Sequence, residues 1–115
     1  MKATIKNIKL KRINQIWKKH KPQGLGFSDN DVIIIELKTD DGSTFNQNFY
    51  CRLKGDGTLA HSITKRSEKR QKDLQYFIKK YISRDERYSI RKNFNKWKGK
   101  DVEVEKINGG FIIKI

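Results

Sequence analysis

Four side chains recur at alternate positions along one short stretch: Asn46, Asn48, Tyr50 and Arg52. Interleaved with them are Phe45, Gln47, Phe49, Cys51 and Leu53. In an extended chain successive side chains point to opposite faces, so the two sets separate. The second set reads as a core face, with Gln47 as the residue this alternation does not explain. The first displays amides, a phenol ring and a guanidinium. Amides hydrogen-bond base edges, a ring stacks on an unstacked base, and a cation holds phosphate. These are the requirements of a single-stranded nucleic acid.

Other residues extend that chemistry. Trp17 and Phe27 lie in or beside a segment that also holds Lys18, Lys19, His20 and Lys21. Both rings suit base stacking, worth about 1–3 kcal/mol per base, although Trp17 suits a barrel-closing or helix-packing role better. Further on, KRSEKRQKD places Lys65, Arg66, Lys69, Arg70 and Lys72 at the start of a helical pattern. Cations there oppose the helix dipole at about 0.3–1 kcal/mol each. A bound phosphate backbone accounts for that placement. A solvated face, partly balanced by Glu68 and Asp73, is the alternative.

Catalytic constellations are missing from the sequence. His20, His61 and Cys51 stand apart, without metal-ligand or nucleophile–base spacing. Lys54-Gly55-Asp56-Gly57-Thr58 has glycines but not the phosphate-loop pattern, and reads as a turn. Asp29-Asn30-Asp31 and Asp40-Asp41-Gly42 read as turn chemistry. Glu36-Leu37-Lys38 resembles half of the PD-(D/E)xK nuclease motif. The partner aspartate of that motif belongs on a preceding strand, whereas Asp29 and Asp31 are too near and lie in a loop. The expectation is a non-catalytic protein with no metal and no cofactor.

The charge distribution names the class of partner. The chain has 115 residues, with 27 Lys and Arg against 13 Asp and Glu, a net charge of +14. Charge this far from neutral opposes compaction and favours a polyanionic partner. It lies in two blocks: Met1 to Pro22 has eight bases and no acid, and His61 to Lys100 has fourteen bases and four acids. The intervening and final segments are weakly acidic. Single-stranded DNA or RNA is the leading partner, and docking of a basic adaptor on an acidic protein or nucleoprotein assembly is the alternative. A membrane partner is not expected, because the cationic half of the helix lacks an opposing apolar stripe.

Length and composition suit a single domain with a modest core. Hydrophobic residues make up 35%, and aromatics at 10% exceed what disordered chains carry. One cysteine forms no internal disulfide. No run nears the roughly 18 apolar residues of a membrane span. The N-terminus has no apolar stretch of signal-peptide type. An intracellular, cytoplasmic, soluble protein is the expectation.

Five strands and one or two helices must position these residues. The first strand covers about Ala3 to Ile13. A bulge near Lys6–Asn7 is needed to turn Ile8 and Leu10 to the face of Ala3 and Ile5. Lys18 to Asp31 forms a long loop. Val32–Thr39 and Thr44–Leu53 form a hairpin around Asp40–Ser43. On its first strand Ile33, Ile35 and Leu37 point inward, leaving Val32, Ile34, Glu36 and Lys38 outward. After a turn at Lys54–Gly57, a helix spans about Thr64 to Ile82, with Leu74, Phe77, Ile78, Tyr81 and Ile82 on its buried face. Ser83 and Glu86 have capping-box spacing, which predicts a second helix to Trp97, ended by Gly99. Trp97, Phe94 and Phe111 are expected in the core. Val102–Ile107 and Phe111–Ile115 pair through Asn108-Gly109-Gly110.

That order resembles the OB-fold, a mainly β, five-stranded Greek-key barrel with a helix between strands three and four, over nearly the whole chain. A small α+β roll is the alternative. The resemblance implies binding of single strands or oligosaccharides on the outer face of strands two and three, flanked by loops. Asn46, Asn48, Tyr50, Arg52 and Lys38 fall on that face, while Trp17, Lys18, Lys19, Lys21 and Phe27 fall in the first loop.

Overall fold

A computed structural model describes residues 1–12, 31–60 and 65–115, without the side chains of residues 65–68 and 70. The strands are β1 (Lys2–Arg12), β2 (Asp31–Thr39), β3 (Thr44–Cys51), β4 (Asp101–Ile107) and β5 (Gly110–Ile113). Between β3 and β4 lie helix α1 (Lys65–Phe77), a π-helical turn (Ile78–Ile82), the short helix α2 (Ile90–Asn93) and a 3₁₀ turn (Phe94–Trp97). All strand pairings are antiparallel, in the order β3-β2-β1-β4-β5. The sheet curls until β5 returns beside β3, giving a nearly closed OB-like barrel.

The seam between β3 and β5 is closed by side chains. Gln47 Oε1 accepts the Ile113 N–H at 2.8 Å. Phe45 and Phe111 pack with ring centroids 5.5 Å apart. Gln47, the misfit of the core face, is therefore the barrel's latch.

The sequence pattern of β1 is confirmed by its register. Pairing with β2 runs Ala3 with Thr39 to Ile5 with Leu37, slips at Lys6, and resumes at Asn7 with Glu36. The bulge keeps Ala3, Ile5 and Ile8 buried and Leu10 packed against the core, while β1 pairs with β4 only from Lys2 to Thr4. A strand with a single kink thus serves both halves of the barrel.

The end of α1 plugs the core. Leu74, Phe77 and Ile78 are buried, with Tyr81 and Ile82 packed behind them. Phe77 stacks on Phe49 at 5.1 Å and meets Trp97 edge-on at 5.6 Å. Full burial of such a side chain contributes about 1.5–3 kcal/mol. Trp97 is fully buried, and its indole N–H donates to the Tyr88 hydroxyl at 2.7 Å. Phe94 and Phe111 are partly buried against the core. The helix ends in a wide turn, in which the Ser83 N–H reaches back to the Ile78 carbonyl at 2.8 Å.

The second helix differs from the sequence pattern. It begins at Ile90, not Ser83, and Ser89 is its N-cap. Ser83 instead accepts from the Asp85 amide at 3.1 Å, and Asp85 accepts from the Arg87 amide at 2.9 Å. Two successive local side-chain bonds of this kind hold the backbone in turns and compete with helix formation. Asp31, read as turn chemistry, heads β2, and its buried carboxylate accepts the Leu53 N–H at 3.0 Å.

The Lys54–Thr58 turn is fastened to α2. The Gly57 carbonyl accepts from the Ile90 amide at 2.9 Å, and the Ser89 hydroxyl donates to the Asp56 carbonyl at 2.8 Å. Gly57 has φ +84°, and a Cβ there would sit 2.4 Å from Ser89 Oγ. Glycine is required by conformation and by space. Gly109, at φ +84°, similarly permits the tight turn between β4 and β5.

Candidate functional site

The outer face of β1, β2 and β3 forms a grid, because cross-strand neighbours on one face stand about 4.5–5.5 Å apart at Cβ. Its rows read Lys11–Val32–Tyr50, Lys9–Ile34–Asn48, Asn7–Glu36–Asn46 and Thr4–Lys38–Thr44. Asn46, Asn48 and Lys38 are exposed, and Tyr50 and Ile34 are half-buried. The opposite parity of β3 packs inward, with Phe49 and Cys51 buried and Phe45 and Gln47 half-buried. The alternation therefore separates the two faces as its residue types require.

One member of the expected outer patch is not available. Val32 has the outward parity but is fully buried, and it stands apart from the main core cluster. Its cross-strand neighbours are the long side chains of Lys11 and Tyr50, which flank a short valine on both sides. The apolar surface this face offers is thus Ile34 and the exposed part of Tyr50.

Arg52 lies just past β3 on a rigidly tied extension. Its carbonyl accepts the Ala60 N–H at 2.9 Å, and the next residue, Leu53, is held by Asp31 and bridges to Leu59. Asp31 also lies 3.9 Å from Arg12 Nε. The buried carboxylate thereby fixes the backbone that carries Arg52.

Electrostatically the face is cationic. Among the described residues Lys9, Lys11, Lys38 and Arg52 form no ion pair. At the Thr44 end, Lys2, Lys6 and Lys38 line a recess of about 400 Å³ together with Asp40 and Asp101. Asp101 is engaged there by the Thr4 hydroxyl at 2.7 Å. Glu36 sits between Asn7 and Asn46, so no second carboxylate adjoins it in its row. Among the described residues no three His, Cys, Asp or Glu side chains converge as a metal site. Among them, too, no helix is long and apolar enough to cross a membrane.

The other expected contacts divide. Lys69 is exposed on α1. The α1 backbone carries Lys65, Arg66 and Arg70, whose side chains lie outside the described residues. Trp17, Lys18, Lys19, Lys21 and Phe27 also lie outside them. Lys9 and Lys11 join the face without having been singled out in the sequence. The signal was present: the bulge that turns Ile8 and Leu10 inward must turn Lys9 and Lys11 outward. Comparisons with protein-family models, with curated proteins and with solved structures return no match for this chain.

Proposed function

We propose that the protein binds single-stranded nucleic acid, without catalysis, on the outer face of β1–β3. One observation carries the reading. Asn46, Asn48 and Tyr50 share a face whose adjoining rows bring in Lys9, Lys11 and Lys38, Arg52 follows two residues beyond Tyr50, and those lysines have no ion-pair partner among the described residues. Phosphates take the cations, a base takes the exposed surface of Tyr50 and Ile34, and the amides take base edges or sugars. Exposed Lys69 is a further phosphate contact in this reading.

A net charge of +14 supports the same reading, because counterion release from a phosphate backbone supplies sequence-independent affinity. The test is a fluorescence anisotropy titration with labelled oligo-dT and oligo-U, competed with duplex. The expected result is binding that weakens steeply with salt and resists duplex competitor. Absence of binding at low salt refutes it and leaves a basic adaptor for acidic proteins as the alternative.

A further inference from the structure

Directly beyond Arg52 the chain enters a groove of about 880 Å³. The groove runs between the Lys54–Thr58 turn, the π-helical turn and the segment from Ser83 to Lys92. Its apolar lining comes from Leu59, Ile78 and Ile90, with half-buried Tyr88 beside them. Lys54, Lys79, Arg87 and Lys92 line it as well, all exposed and without an ion pair among the described residues.

Two of the groove's three acids are hydrogen-bonded within their own turns and keep their charge. Asp56 accepts from the Thr58 amide at 3.0 Å and hydroxyl at 2.6 Å. Asp85 accepts from the Arg87 amide. Glu86 is the remaining carboxylate. The groove thus combines an apolar lining with four cations against three carboxylates, a small cationic excess beside the surface that flat bases on a phosphate backbone need. Its turn is immobilised: Arg91 Nη1 donates to the carbonyls of Lys54 and Gly55, both at 3.2 Å, and Gly57 is locked against Ser89 and Arg91.

We infer that this groove is a second nucleic-acid segment, which receives the strand after it passes Tyr50 and Arg52. The inference rests on the outer-face reading above. The path is continuous along the chain, since Lys54 is two residues from Arg52 and already lines the groove. Leu59 and Tyr88 would bear on bases, and Lys79, Arg87 and Lys92 on phosphates. The bound strand is then longer than the β3 face alone can cover.

The test uses oligo-dT of four and twelve nucleotides, within the span of about 4–16 nucleotides known for such folds. The variants are the triple K79Q/R87Q/K92Q and an equal-charge control, K96Q/K98Q/K106Q, at exposed sites outside the groove. Equal urea midpoints establish that the variants are folded. For the twelve-mer, the groove variant should lower the salt slope by about 2, since each lost phosphate contact on a single strand removes about 0.7. Its affinity should fall about tenfold, while four-mer binding changes less than twofold. The control should preserve the difference between the two lengths. Equal effects on both oligonucleotides, no effect on either, or the same loss in the control overturns the groove and leaves the outer face standing. Failure of wild-type protein to bind either length overturns both.

Discussion

The Gln47 side-chain oxygen accepts the Ile113 N–H at 2.8 Å, joining β3 to β5 where their backbones form no ladder. An amide on a core-facing strand position thus does the work of a backbone hydrogen bond. It also steadies β3, whose other face carries Asn46, Asn48 and Tyr50.

Replacing Gln47 with Ala leaves that N–H without its acceptor. Loss of a partner costs about 1–3 kcal/mol at a buried group, and this half-buried site belongs at the lower end. The urea midpoint should fall accordingly, and hydrogen exchange at the Ile113 amide should accelerate more than at Ile35 in β2.

Gly57→Ala should destabilise more than Gly55→Ala. The left-handed conformation alone costs about 1–2 kcal/mol for a residue with a Cβ, and the Ser89 and Arg91 side chains crowd the added methyl. At Gly55 a Cβ meets nothing within 4 Å. Thermal melts should separate the two variants by several degrees, since 1 kcal/mol shifts Tm by about 4–8 °C in domains near this size.

Much of this architecture was legible in the sequence, and the physical reasons are specific. Period-two alternation from Phe45 to Leu53 assigned both faces of β3, because only one face of a barrel strand is buried. The mismatch between Ala3/Ile5 and Ile8/Leu10 required the bulge seen at Lys6. Val32 was not legible, because parity gives the direction of a side chain and not what covers it. The start of α2 was misplaced because Ser83–Glu86 capping spacing also suits consecutive local turns, and only the Gly57 and Ser89 contacts select Ile90. Gln47 was opaque because its partner lies 66 residues away.

Two turn carboxylates give stability a defined acid dependence. Asp41 accepts from the Thr39 hydroxyl and the Ser43 amide, and Asp56 from the Thr58 hydroxyl and amide. These bonds hold both carboxyls below their ordinary value of 3.8. The folded state therefore binds fewer protons at these sites than the unfolded chain between the two values. Their contribution is complete above pH 3.8 and is lost as the pH falls through the lower folded values. Urea midpoints measured from pH 6 down to 2.5 should decline in that acid range, and the D41N/D56N double variant should decline less.

Lys9 and Lys11 are phosphate contacts in this account, and Lys11 flanks Val32 only with its aliphatic stem, part of which glutamine keeps. The K9Q/K11Q variant should reduce the salt slope for oligo-dT by about 1.4, at about 0.7 per contact. Its urea stability should stay within about 0.5 kcal/mol of wild type, as for surface changes away from structural features. A large loss of stability without a change in slope would assign them to the fold instead.

The most direct test of the central claim is an amide chemical-shift titration of the labelled protein with oligo-dT at low salt. The account predicts the largest shifts at Lys9, Lys11, Lys38, Asn46, Asn48, Tyr50 and Arg52, with Tyr50→Ala weakening the titration far more than Lys96→Ala. Shifts that avoid the outer rows of β1–β3, or equal losses in the two variants, would contradict it.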